Sequence, residues 1–281
     1  MIVTVVHVVL GLILSCWSLP AWAGAESQKL LVQEVMALSG LQQQIQQIPQ
    51  QVLAGFDQQQ RKLPGEQQAA LRHALATSFD APMLEQAISH NLETSLRPNV
   101  LTATLNWLKS DLGRKVTTLE NVASEPRFQQ ELPSFAKQLE KAPPDNDRLQ
   151  LIRRIDRAAN GTELLLDISE SLGLGVAAAY EETLPAAQRS GLDHLRGQLA
   201  RSREARRQQI QAHVWVSLLL TYRTLLQEDL RRYVEFLETE EGLGFYTQAN
   251  LAIKDALDIS VTRISRAMID ILKPPAGRKA I

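Results

Sequence analysis

Apolar positions along the chain recur with the spacing of helices. In "GLQQQIQQIPQQV", Gly40 to Val52, residues Leu41, Ile45, Ile48 and Val52 stand four, three and four apart, which makes one stripe apolar and leaves glutamine on the other faces. That stripe reads as a helix surface, with a disordered glutamine-rich tract as the alternative, and Pro49 is expected to kink it. Near the other end Ile253, Leu257, Val261, Ile264, Met268 and Ile271 keep the same period until Pro274 and Pro275 stop it. A helix so long and one-sided needs a surface to dock on. Start signals agree: Asp80-Ala81-Pro82 and Ser124-Glu125-Pro126 each put a capping side chain and a proline at the head of an apolar period. No stretch alternates β-branched residues with period two, and aromatic residues are only 5% of the chain. An all-α fold is predicted.

The helical pattern also repeats itself. "NWLKSDLGRK", Asn106 to Lys115, returns in altered form as "EFLETEEGLG", Glu235 to Gly244. An offset of 129 lays Leu96–Ala123 over Leu225–Ala252 without a gap, pairing Leu101 with Leu230, Leu108 with Leu237, Gly113 with Gly242 and Asn121 with Asn250. Further upstream an offset of 121 pairs Leu30 with Leu151, Ala37 with Ala158 and Gly40 with Gly161, which implies an eight-residue insertion in the second half. Two tandem helical repeats packed into one multi-helix bundle are therefore expected. The first spans 24–142 and the second 148–275, joined by a linker at 143–147 within "KAPPDND" and followed by a disordered tail at 276–281.

Each part of the repeated stretch has a physical reason. Trp107-Leu108 and Phe236-Leu237 end a helix facing the core, and Ser110 or Thr239 is placed to accept from the orphan amides of the next helix. Asp111 or Glu240 then sits in the first turn, where the helix dipole favours an acid. Gly113 and Gly242 lower helix propensity, so their presence in both copies points to a close helix crossing or a backbone demand that a side chain would block. An anion site at the capped helix start is the functional alternative, opposed by the neighbouring acid. At these residues the chain resembles a secreted helical family of Gram-negative bacteria, catalogued as domain of unknown function twenty fifty-nine. The family's pattern is an apolar or aromatic pair, a spacer, Ser or Thr, two residues, Gly, then basic residues. "WLKSDLGRK" matches it, while "FLETEEGLG" departs by carrying Leu243-Gly244 in place of the basic pair. The resemblance implies a helical fold and a periplasmic address, and brings no activity with it.

Charge and composition narrow the function. The first 23 residues contain no Asp, Glu, Lys or Arg, and the apolar run Val5–Cys16 leads into "SLPAWA". This predicts a secretory signal peptide cleaved after Ala23 and a periplasmic protein. The alternative is a lipobox at Ile13-Leu14-Ser15-Cys16 that would anchor the protein through Cys16. Cys16 is the sole cysteine, so the mature chain is expected to have neither disulfide nor thiolate metal site. Thirty Lys and Arg against 31 Asp and Glu leave no field to recruit nucleic acid.

No metal, cofactor or catalytic residue is predicted. His73, His90, His194 and His213 lack metal-ligand spacing, no G-x-S-x-G elbow or P-loop occurs, and "SLGLGV" and "EGLGF" are incomplete as dinucleotide loops. Asp167 and Glu170 share a helix face, as an acid–base pair or as a solvated one. The segment with most character runs from Arg201, Arg203, Arg206 and Arg207 to Val214, Trp215 and Leu218–Leu220. It reads either as a long helix whose basic half leaves the core, or as a basic collar with an apolar foot that grips lipid headgroups or an anionic peptide. The expected function is a non-enzymatic binding or scaffolding protein of the cell envelope, with an envelope protein, peptide or lipid as partner. A membrane-surface binder is the second reading, and an enzyme with an unrecognised carboxylate or histidine site the third.

Overall fold

The computed structural model describes residues 20–58 and 63–273. They form helices α1 (Pro20–Leu38), α2 (Leu41–Gln58), α3 (Gly65–Ser78), α4 (Ala81–Ser95), α5 (Pro98–Leu108), α6 (Asp111–Ala123) and α7 (Pro126–Lys141). After these come α8 (Asn146–Ala159), α9 (Gly161–Thr183), α10 (Leu192–Thr221), α11 (Gln227–Leu237) and α12 (Glu240–Leu272). No strand occurs among the described residues, and the fold is all-α. The lipobox, most of the signal segment and the tail at 276–281 lie outside the described residues; α1 begins at Pro20, so cleavage after Ala23 would fall in its first turn.

Helix α2 continues through Pro49 with Leu41 and Ile45 buried, so the glutamine-rich run is a helix surface. Asp80 accepts from the Met83 amide at 3.3 Å and starts α4 as its spacing predicted. At the next start the cap differs. Glu125 holds the N-cap position without a side-chain bond, and the Ser124 hydroxyl instead donates back to the Asn121 carbonyl at 2.7 Å. The expected linker is also shorter, because Asp145 accepts from the Arg148 amide at 2.7 Å and starts α8 inside the 143–147 segment.

The two similar stretches form corners of one geometry. Ser110 and Thr239 take φ, ψ of −69°, 161° and −67°, 159°, and their hydroxyls accept from the Gly113 and Gly242 amides at 3.0 Å in both cases. The same hydroxyls donate to the carbonyls of Trp107 at 2.6 Å and Phe236 at 2.7 Å, tying the new helix to the end of the old one. A Cβ at Gly113 would lie 2.0 Å from the Trp107 carbonyl oxygen, and one at Gly242 would lie 2.2 Å from that of Phe236. The glycine requirement is therefore local. It comes from the preceding helix end and not from a distant crossing.

The helix leaving each corner crosses over to the other half. Leu112 and Val116 of α6 are buried with Ile152 and Ile155 of α8, Leu219 and Tyr222 at the end of α10, and Leu230 and Val234 of α11. Phe245, Ala249, Ala252 and Ala256 of α12 are buried with Val32 and Val35 of α1, Ile88 and Leu92 of α4, and Leu101 of α5. Thus each corner sends its second helix into the core built by the other half. Where the corners meet, Trp107 stacks on Phe236 with centroids 4.4 Å apart and planes 8° from parallel. These are aligned positions of the two stretches. Beyond its crossover α12 continues across α3 and α9, burying Val261, Ile264 and Met268 there, which is the docking its long apolar stripe required.

Gly113→Ala and Gly242→Ala are each expected to destabilise by about 2–4 kcal/mol, because backbone atoms must move to admit the methyl group. Ser110→Ala and Thr239→Ala lose only a cap, about 1 kcal/mol. Urea unfolding midpoints check both, and a glycine replacement as mild as a cap loss would contradict the close approach.

Candidate functional site

The arginine-rich half of α10 is partnered along its length. Arg203 bonds Glu170 and, at 3.0 Å, Asp167; Arg206 reaches Glu170 at 2.7 Å; and Arg207 reaches Glu163 at 2.6 Å. The acids stand four and three apart on α9, so helical geometry turns them into a ladder facing the arginines. Hydrogen bonding to Asp167 raises the Arg203 pKa still further, and Glu163 does the same for Arg207. Arg201 stays exposed, without a carboxylate partner among the described residues. The arginines read alternatively as a basic collar are thus largely a clasp between helices. Trp215 is no free apolar foot either: its indole N–H donates to Asp156 at 2.9 Å and its ring lies under the Arg153 guanidinium at 4.8 Å. Asp156, 6% exposed, also accepts from the amide and hydroxyl of Thr162.

The same ladder engages Asp167 and Glu170: both Glu170 oxygens and Asp167 Oδ1 accept from guanidinium donors, which ties the two acids to α10. His73, His90, His194 and His213 are all exposed, and no group of metal-ligating side chains occurs among the described residues.

A polar cluster that no sequence pattern announced lies at the seam between the two cores. Glu120 of α6 accepts from the hydroxyls of Tyr222 at 2.6 Å and Tyr233 at 2.9 Å. Tyr233 thereby uses its proton, so Tyr246, whose oxygen is 3.0 Å away, must be the donor to it. Trp107 stacks on the Tyr233 ring at 5.2 Å. Burial raises the Glu120 pKa, opposed by the two tyrosine hydrogen bonds, and burial together with the nearby carboxylate raises all three tyrosines. The cluster joins α6, α10, α11 and α12 and borders neither of the two concavities described below. Glu120 lies 102 and 113 residues from Tyr222 and Tyr233 in sequence, so spacing had no means of bringing them together.

Concavity appears elsewhere. A cleft of about 560 Å³, within the range of small-molecule sites, lies between α9, α12 and the turn that enters α10. Its walls are Leu174, Ala178, Leu192, Val261 and Ile269. Gly175 lets α9 and α12 approach, since a Cβ there would fall 2.5 Å from a Val261 methyl and 2.9 Å from the Ser265 hydroxyl. The turn is pinned from below: the Glu181 carboxylate, 9% exposed, accepts from the amides of Ser190 at 2.8 Å and Gly191 at 2.9 Å. Gly191 has φ +84°, a conformation that favours glycine. Arg189 fastens the turn further by donating to the carbonyls of Leu184 and Glu182.

Chemically the cleft exposes mostly apolar surface, with charged and hydroxyl groups interspersed along it. Glu182 pairs with Arg189, and Asp258 accepts from Ser171 and Lys254, so the acids lining the cleft are already satisfied within the protein. Arg266 has no carboxylate partner among the described residues, and Arg196 has only Asp193, three residues before it on the exposed surface of α10. The Ser265 hydroxyl is buried without a hydrogen-bond partner among the described residues. A second depression of about 700 Å³ is bordered by Gln33, Glu34, Gln42 and Glu85, and its acids are engaged: Gln42 donates to Glu85 at 2.6 Å and Glu34 pairs with Lys109 at 2.6 Å.

No protein-family model, curated protein or solved structure matches this chain. Its function is therefore argued from the site alone.

The charges of the seam and the ladder set two expected outcomes. In its folded site Glu120 holds a proton to higher pH than the ordinary carboxyl value of 4.5. The folded state then binds more protons than the unfolded state in that window, and stability falls as pH rises through it. Glu120→Gln removes that slope, so the wild-type midpoint should drop relative to the variant between about pH 4 and the folded value. Parallel pH profiles of urea midpoints would refute the burial of this carboxyl. Glu170→Lys sets a third cation against Arg203 and Arg206; the thermal midpoint should fall, and half-molar salt should recover part of the loss.

Proposed function

We propose that this is a non-enzymatic binding or scaffolding protein of the bacterial periplasm, secreted through its N-terminal segment, with the α9–α12 cleft as its ligand site. The cleft carries the reading. Its exposed lining is mainly apolar, its turn is pinned by a buried carboxylate, and Arg196 and Arg266 among its lining residues are not committed to buried partners, a make-up that suits a preformed binding site. Reactive constellations do not compete with it, since the candidate carboxylates of α9 are engaged as a clasp. The chain's two halves are proposed to descend from one duplicated helical module of the kind the corner motif resembles. The matching corner geometry and the Trp107–Phe236 stack support that descent.

Thermal-shift measurements against envelope lipids, peptidoglycan fragments and periplasmic peptides should reveal one class that stabilises the protein. Ala178→Trp, which fills the cleft, should cancel the shift while leaving the far-ultraviolet circular dichroism unchanged. A protein that no class stabilises, or a shift that survives Ala178→Trp, would remove the cleft as the site.

A further inference from the structure

We infer that the α9–α12 cleft takes a single-chain amphiphile with an oxyanion head: the chain lies over Leu174, Ala178, Val261 and Ile269, and the head meets Arg266 and Arg196. This rests on the binding reading above and adds the chemical class of the ligand.

The lining supplies the apolar surface. One wall comes from α9, with Leu174 and Ala178, and the other from α12, with Val261 and with Ile269 one turn from Arg266, so an aliphatic chain finds apolar contacts on both sides. Among the described residues the lining has no aromatic side chain on which a sugar or base would stack, which disfavours glycan and nucleotide ligands. The polar part is an imbalance. Glu181, Glu182 and Asp258 all have donors within the protein, and Arg189 is bound to the turn and to Glu182. That leaves Arg266 without a carboxylate among the described residues and Arg196 with an exposed one that solvent screens, so the free charge at the rim is positive. Guanidinium groups bind carboxylate and phosphate oxygens through paired hydrogen bonds, and either head satisfies this chemistry.

The experiment uses cis-parinarate, whose fluorescence rises in an apolar site, titrated into the full-length protein and then displaced by competitors. Saturable binding at one site is expected. Palmitate or palmitoyl-lysophosphatidylglycerol should displace the probe, and uncharged monopalmitoylglycerol should do so at least about tenfold less well. Displacement mainly by palmitate identifies a carboxylate head and mainly by the lysolipid a phosphate head; both support the inference. Arg196→Gln combined with Arg266→Gln should weaken the anionic competitors about tenfold and leave the uncharged one unchanged. Ala178→Trp should abolish probe binding, and the milder Ala178→Leu, checked by its thermal midpoint, should weaken it if the tryptophan variant fails to fold.

Failure of saturable binding overturns the inference, as does equal displacement by charged and uncharged competitors with no effect of the arginine replacements. If the probe fails while another ligand class gives an Ala178-sensitive thermal shift, only the ligand class is wrong. If neither appears, the binding reading falls with it.

Discussion

The architecture hangs on a hydroxyl that works in two directions. Ser110 and Thr239 each accept from a glycine amide three residues ahead and donate to the carbonyl three residues behind. That pair of bonds fixes the angle at which one helix leaves another, and the absence of a side chain at Gly113 or Gly242 lets the turn close against the carbonyl. Because the angle is set locally, the next helix is aimed before any distant contact forms. In both corners it is aimed out of its own half, so α6 and α12 exchange places, and the two cores share the Trp107–Phe236 stack at their boundary. Neither half has a complete core without the helix supplied by the other.

Three acids drawn into the interior, Asp156 and Glu181 buried and Glu120 half-buried, are each met by several donors. Asp156 takes three, Glu120 two tyrosine hydroxyls, and Glu181 two backbone amides. Such groups are expensive to desolvate alone, but bonded in this way they hold particular elements in register. Asp156 ties the α8–α9 junction to α10, Glu120 ties α6 to α10 and α11, and Glu181 holds the entry of α10 against the end of α9. The arginine ladder is different in kind. It lies nearer solvent, so it orients α10 against α9 more than it stabilises the fold.

The cleft is a by-product of that placement. After the turn pinned by Glu181, the first turns of α10 contribute Leu192 and Arg196 to a cleft whose other walls are α9 and α12. Gly175 brings the backbones of α9 and α12 close on the floor, while Leu192, 45% exposed, and Ile269 border the opening. Rigidity at the turn matters here, since an apolar cleft with a mobile wall would collapse on itself.

The sequence by itself determined the helices, their caps at Asp80, Ser110 and Thr239, the docking stripe of α12 and the need for glycine at both corners. All of these depend on neighbours within about four positions, where periodicity and chain stereochemistry act directly. Tertiary structure alone decided that α6 and α12 cross between the cores, that Arg203, Arg206 and Arg207 are spent on α9, and that Trp215 hydrogen-bonds inward. It likewise decided that Glu120 meets two tyrosines and that a cleft opens beside Arg266. Those outcomes depend on groups dozens of residues apart being brought together. An arginine-rich stretch looks the same in one dimension whether its charges face solvent or a row of acids on the next helix.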